Sequence, residues 1–344
     1  VGGLGILSLG LILLPFLRVG GMQLFRMESS DRSEKPLPRL IEIARSIIII
    51  YLVLSILCVI GYLSVGMAPF DALTHAMTTV ATGGFSTHDE SLGYYQGWKV
   101  LWVAIVFMIA GALPFSFFIA VFFARNMPRY DPQIVVFFLI AILSCGILLL
   151  ADGLYRANTF TEFSQYIFNV VSILTTTGYA SGNFMDYGGI GATLFFFLIF
   201  IGGCAGSTSG GIKIYRFIVL GQLIRTSLQE LLYKRGVFLM RYGKQIVDKD
   251  VFRSSMVMIC CFFVFLAIFT VILGALGADF ITALSGAATA LANVGPGIGD
   301  VIGPTGSFSS LSDAEKYALV FAMIIGRLEL LVALALFVPI LWRD

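Results

Sequence analysis

Long, nearly uncharged apolar runs alternate along this chain with short polar stretches. The runs near 46–66, 98–123, 133–151, 190–206, 254–276 and 317–340 approach the roughly 20 apolar residues that a bilayer crossing needs, and each is expected as a membrane span. A shorter run at 4–17 reads as the tail of one more. Between spans lie three apolar segments of only about 12 residues, too short to cross but long enough for re-entrant helices. Each runs into glycine: "FDALTHAMTTVATGGFS" (70–86), "FSQYIFNVVSILTTTGYAS" (163–181) and "FITALSGAATALANVGPGIG" (280–299). The pattern predicts span, re-entrant helix, glycine loop and span, three times over. The following spans share a mid-span glycine in "IAGALPF" (109–115), "IGGCAGS" (201–207) and "IIGRLEL" (324–330), and the opening "VGGLGIL" (1–7) fits the same place. Residues 1–17 are therefore expected to be the second span of an earlier unit whose first half precedes Val1.

Composition agrees with a membrane protein. Hydrophobic residues make up 58% and charged residues 12%, against about 25% charged in soluble domains. Nucleic-acid binding, a soluble enzyme and a disordered scaffold are disfavoured on that ground. Eighteen of the 22 Lys and Arg residues fall in segments 18–45, 125–129, 213–253 and at Arg343, which the positive-inside rule places in the cytoplasm. The alternate loops carry acids instead: Asp71, Asp89, Glu90, Asp152, Glu162, Asp186, Asp279, Asp300, Asp313 and Glu315. Such a face either concentrates cations before entry or is an ordinary solvated surface. The five cysteines lie in or beside spans without metal-ligand spacing, and His75 and His88 stand alone, so packing residues rather than a metal site are expected.

The glycine loops carry the chemistry. Irregular backbone inside a membrane is tolerated only where it is buried in protein or lines a watery cavity. Glycine permits dihedrals that turn successive carbonyls one way, and each short helix aims its negative C-terminal end at its loop. Such loops around one axis give an oxygen-lined cation site. Aligned on the last glycine, Thr82-Gly83-Gly84-Phe85 matches Thr176-Thr177-Gly178-Tyr179 and Asn293-Val294-Gly295-Pro296. The three loops differ, which points to a pseudosymmetric pore within one polypeptide.

"TTVATGGFST", "TTTGYAS", "GGCAGSTSGGIK", "ANVGPGIG" and "GRLE" together resemble the Trk/Ktr/HKT superfamily of potassium transporters, and within it the TrkH-type membrane subunit. "LPFLRVGGMQLFRME" (14–28) also resembles the stretch after that family's first pore unit. The resemblance implies an all-α integral membrane fold of pseudo-fourfold, potassium-channel-like span–pore-helix–span repeats around one K+ pathway in a bacterial inner membrane. Its expected divisions are a truncated first unit (1–17), a cytoplasmic linker (18–45), a second unit (46–123), a third (124–212), a cytoplasmic helix and linker (213–253) and a fourth unit (254–344). Filter carbonyls are implied at Thr82–Phe85, Thr176–Tyr179 and Asn293–Pro296, with K+ as transported ion and no cofactor. The first family loop has no counterpart here, so the chain as given is not expected to close a filter by itself.

The stretch Gly202, Gly203, Gly206, Ser207, Thr208, Ser209, Gly210 and Gly211 matches the family's loop that interrupts the third unit's second span and obstructs the pore. Small residues suggest a thin, mobile gate. A nucleotide P-loop is excluded, because Ile212 stands where the motif needs Lys and no strand precedes it. Arg327 is mid-span, at a cost of at least ~2.5 kcal/mol, and should face a cavity or a partner. The resemblance implies a pore charge, the alternative being a structural ion pair. Glu329 is a poor same-face partner. The resemblance also implies a homodimer docked on a cytosolic, nucleotide-binding TrkA-type subunit. The basic stretch 213–253 serves either as that docking surface or only to set topology. A secondary transporter of another cation or solute explains one broken span but not three loops. A membrane enzyme should pair His, Asp or Glu within spans, which this chain does not.

Overall fold

A computed structural model describes residues 37–95, 97–122, 131–151, 159–233, 236, 238–243, 245–246 and 249–327. The expectations for the span at 4–17, for most of the 18–45 linker, for Glu329 and for the end of the last span lie outside the described residues. Among the described residues, eleven α-helices follow in order: α1 (Leu37–Ser64), α2 (Pro69–Val80), α3 (Trp98–Ala112), α4 (Phe115–Phe122), α5 (Pro132–Ala151), α6 (Phe160–Leu174), α7 (Gly188–Phe200), α8 (Ile214–Leu232), α9 (Lys249–Leu276), α10 (Phe280–Ala292) and α11 (Asp313–Arg327). A two-residue hairpin, β1 (Arg241–Tyr242) with β2 (Gln245–Ile246), is the one sheet among the described residues.

Among the described residues, three helices are long and apolar enough to cross a membrane: Glu42–Ser64, Pro132–Ala151 and Val251–Leu276. They show lipid-type surfaces, with Leu52, Val53, Ile56, Leu57 and Ile60 of α1 exposed. The three expected re-entrant segments are the short helices α2, α6 and α10. Each starts with a local device. Pro69 opens α2, the Thr159 N–H donates to the Glu162 carboxylate at 3.1 Å ahead of α6, and Asp279 caps α10 by accepting from the Thr282 N–H at 3.2 Å. Glu162 and Asp279 thus act as helix caps, and Glu315, 6% exposed, accepts from the Ser312 N–H and hydroxyl at 2.7 Å.

Two sequence expectations change. The run 98–123 is not one straight span, because α3 and α4 meet at 94°. Pro114 offers no N–H to continue α3, and the carbonyls freed at Gly111 and Ala112 are taken up elsewhere, as described below. The run 190–206 leaves the helix at Phe200, and Ile201 bridges in parallel to Ile212 to close the base of a strap, residues 202–211. Glycine and hydroxyl residues override the apolar pattern there.

Two apolar cores hold the helices. One gathers Tyr51, Cys58, Tyr62, Ala76, Leu101, Met108 and Phe115 from α1–α4. The other gathers Phe137, Phe195, Phe200, Phe262, Phe269, Ala287, Leu291 and Ile325 from α5, α7 and α9–α11. Helix α6 belongs to both: Phe168 and Val171 enter the first, and Tyr166, Val170, Ile173 and Leu174 the second. That double burial explains why Phe168 through Leu174 are all buried.

Candidate pore site: three loops and a strap

The three glycine loops share one backbone conformation. Thr82, Thr176 and Asn293 take left-handed φ values of 48°, 56° and 55°, and two residues on Gly84, Gly178 and Gly295 have φ of 66°, 83° and 113°. The loop N–H groups turn back to the helix that each loop ends. Gly83, Thr177 and Val294 donate to the carbonyls of Thr78, Ser172 and Thr289 at 2.7, 2.9 and 3.0 Å. With those N–H groups facing the helix, the carbonyls in the same trans peptide units, those of Thr82, Thr176 and Asn293, face the other way. Among the described residues, no hydrogen bond is seen to the carbonyls of Thr82–Gly84, Thr176–Gly178 or Asn293–Gly295.

Neighbouring loops nest by a repeated contact. A Cβ on Gly84 would lie 1.9 Å from the Thr177 carbonyl oxygen, and one on Gly178 would lie 1.8 Å from the Val294 oxygen. In both cases the glycine of one loop faces the carbonyl that precedes the glycine of the next. Only a residue without a Cβ permits that approach. Mid-span glycines allow a similar crossing: a Cβ on Gly111 would sit 2.7 Å from the Val80 oxygen, and one on Gly326 2.0 Å from the Leu291 oxygen.

Hydroxyl residues that sequence reasoning passed over lock the loops. Six positions before each glycine stands Thr78, Ser172 or Thr289. Thr78 Oγ1 donates to the Phe85 carbonyl at 2.8 Å, Ser172 Oγ to the Tyr179 carbonyl at 2.7 Å, and Thr289 Oγ1 accepts from the Gly295 N–H at 2.9 Å. The recurrence was visible in the aligned segments. Tyr179 itself does not line an opening. It is 1% exposed, and its hydroxyl meets Thr78 Oγ1 at 2.6 Å and the His75 carbonyl at 3.1 Å, pinning the second loop to α2. Phe85, by contrast, is exposed.

The strap lies across the C-terminal ends of all three short helices. Thr208 Oγ1 donates to Val80 O at 3.0 Å and Gly111 O at 2.9 Å. Ser209 Oγ donates to Thr175 O at 2.9 Å. The Gly210 N–H reaches Thr176 Oγ1 at 2.6 Å, while a Cβ there would meet Ala292 O at 2.4 Å. Three consecutive strap residues thus touch three successive helices. The strap also repairs the α3–α4 break: the Cys204 and Thr208 N–H groups donate to Ala112 O and Gly111 O at 3.0 and 3.1 Å, and the Phe115 N–H donates to Gly206 O at 2.9 Å. Two cations hold its carbonyls, Arg327 Nη2 donating to Thr208 O at 3.2 Å and Lys213 Nζ to Ser209 O. In this conformation Gly203, Ser207, Thr208 and Ser209 are buried, and the strap's hydroxyls are hydrogen-bonded.

The histidines do not stand alone as expected. His75 and His88 lie 6.5 Å apart between ring centroids, His75 Nε2 meeting Ser86 Oγ at 2.9 Å and His88 Nε2 lying 3.5 Å from the Asp71 carboxylate. Burial and the Asp71 carboxylate push the adjoining Tyr95 phenol up. Among the described residues, no His, Cys, Asp and Glu cluster has the makings of a metal site.

Short helices converging on nested glycine loops, crossed by a buried strap and carried by bilayer-length helices, define a class: all-helical, multi-pass membrane proteins built around re-entrant helices. Comparison narrows it. Residues 1–154 and 155–343 match the family model of TrkH, described as a cation transport protein. The whole chain is 45% identical over 349 residues to the Trk system potassium uptake protein TrkI of Halomonas elongata, spanning 70% of it. It is 35% identical over 352 residues to the Trk system potassium uptake protein TrkH of Vibrio parahaemolyticus, spanning 72% of that relative. The crystal structure of the potassium transporter TrkH from Vibrio parahaemolyticus superposes with a TM-score of 0.86 at 33% identity, over 99% of this chain and 70% of that one. The chain belongs to the TrkH family of cation transport proteins.

Proposed function

We propose that this chain forms the ion pathway of a Trk-type potassium uptake system in a bacterial inner membrane. The observation that carries the reading is the repeated nesting of Gly84 on Thr177 O and of Gly178 on Val294 O. The repeat supports loops arranged about a common axis, with the carbonyls of Thr82–Gly84, Thr176–Gly178 and Asn293–Gly295 available to replace the hydration shell of a K+ ion. Thr82–Phe85, Thr176–Tyr179 and Asn293–Pro296 supply three sides of that filter, in a pseudo-fourfold arrangement. The strap 202–211 is the gate. Its fit across the helix C-termini supports a closed state, with Arg327 holding Thr208 and placing a fixed positive charge that discourages cation residence. The protein works as a homodimer and responds to a cytosolic TrkA-type regulatory subunit at the basic stretch 213–253. Binding of the transported ion should stabilise the fold by mass action. Thermal unfolding of the full-length protein in detergent should therefore shift upward with K+ or Rb+ and far less with Na+ at equal ionic strength. Equal shifts with all three would count against a potassium filter.

A further inference from the structure

The strap has one tie that leads away from the helix ends. The Ala205 N–H donates to Gln133 Oε1 at 2.8 Å. The other end of that amide, Nε2, donates to Asp131 Oδ2 at 2.8 Å, while Asp131 Oδ1 accepts from the Gln133 N–H at 3.1 Å and from the Tyr242 hydroxyl at 2.5 Å. Tyr242 belongs to the hairpin β1–β2, within the basic stretch between α8 and α9. Its ring packs edge-on against Tyr215 in the first turn of α8, centroids 4.9 Å apart. The hairpin turn at Gly243 lies against Pro132, with a Cβ there 3.4 Å from its ring.

The chemistry gives this chain a direction. A carboxylate only accepts, and a backbone N–H only donates, so the amide between them has one workable orientation. Flipping it would set its NH2 against the Ala205 N–H and its oxygen against Asp131. Gln133 is 3% exposed, so no solvent replaces a lost partner. Burial and the Asp131 carboxylate push the Tyr242 phenol up, which keeps it a donor at neutral pH.

We infer that Tyr242, Asp131 and Gln133 form a positioning relay that couples the hairpin outside the membrane to the strap at Ala205. Displacement of the hairpin withdraws the tyrosine and frees Asp131 to turn. Gln133 then lets go of Ala205 and loosens the strap three residues from the carbonyl that Arg327 holds. The relay rests on the reading of 202–211 as a gate, and gives that gate a mechanical input from the cytoplasmic face.

The test is rubidium flux through the full-length protein in liposomes, without a regulatory subunit. It compares wild type, Tyr242→Phe, Gln133→Leu, their double variant and a deletion of Gly206–Gly211. Loss of one hydrogen bond should raise resting flux about three- to tenfold in each single variant. The double variant should leak no more than Gln133→Leu alone, because coupled residues are not additive. A merely structural role would lower the melting temperature without producing leak. Wild-type resting flux in Tyr242→Phe, or effects that multiply in the double variant, would overturn the relay while a leaky deletion leaves the gate standing. A deletion that fails to raise flux would overturn the gate and the relay together.

Discussion

Replacing Gly178 by alanine adds one methyl group where the structure leaves no room for it. The new Cβ would stand 1.8 Å from the Val294 carbonyl oxygen and 3.0 Å from Pro296 Cδ. The oxygen would have to retreat by about 1.2 Å to reach the closest approach that real Cβ atoms make. At φ of 83°, alanine also carries a left-handed backbone penalty of about 1–2 kcal/mol, alone worth a factor of about 5–30 in the population of the native loop. Because the clash is with a proposed ion-coordinating carbonyl, relaxation must widen or tilt the ring. We expect at least about a tenfold loss of K+ over Na+ discrimination, in protein that still elutes as a folded species. The internal control is Gly182→Ala, where a Cβ meets nothing within 4 Å. Rubidium uptake with Na+ and K+ competition measures both. Wild-type discrimination in Gly178→Ala would refute the argument that nested glycine–carbonyl contacts set the filter.

Further outcomes follow from the strap and the crossings. Thr208→Val keeps the side chain's shape but removes the hydroxyl proton shared by Val80 O and Gly111 O, leaving Gly111 O with the Thr208 N–H alone, at about 1 kcal/mol, so resting flux should rise about fivefold without loss of expression. Arg327→Gln should likewise raise resting flux, read by single-channel or liposome recording, and an unchanged rate would remove Arg327 from the gate. Gly326→Ala places a Cβ 2.0 Å from Leu291 O and should abolish stable assembly, read by size exclusion. Gly146→Ala, inside α5 with nothing within 4 Å, should instead leave transport intact and stabilise the fold by about 0.5–1 kcal/mol, read by thermal shift.

The re-entrant helices could be read from the chain because length and patterning speak locally. A 12-residue apolar segment running into a glycine loop cannot cross a bilayer, and three of them in register reveal the repeat. The left-handed backbone at Thr82 and Thr176 could not be read that way, because a β-branched residue rarely takes positive φ. The bend at Pro114 was written in one residue but masked by apolar residues on both sides, so the run 98–123 read as a single span. What makes the bend stable is remote: the freed carbonyls of Gly111 and Ala112 are met by N–H groups more than ninety residues away. The strap's small residues suggested mobility because sequence shows their low helix propensity and not the hydroxyl, arginine and lysine bonds that fasten them. Gln133 and Asp131 gave no signal at all. Their role depends on a hairpin and a strap meeting at the start of α5, which no local pattern encodes. The acids at Glu162 and Asp279 read as surface charge, though their places three residues after or before a backbone partner also mark helix caps.

Passage of potassium through the glycine loops is open to a direct test by uptake in living cells. Full-length protein, produced in bacteria stripped of their own potassium uptake, is challenged with tracer rubidium, with its regulatory partner present. The account predicts uptake that excess K+ suppresses, that Na+ leaves largely unaffected and that Gly178→Ala alters in selectivity. Well-expressed, membrane-inserted protein that carries no rubidium, or carries it indifferently to K+ and to the Gly178 substitution, would contradict it.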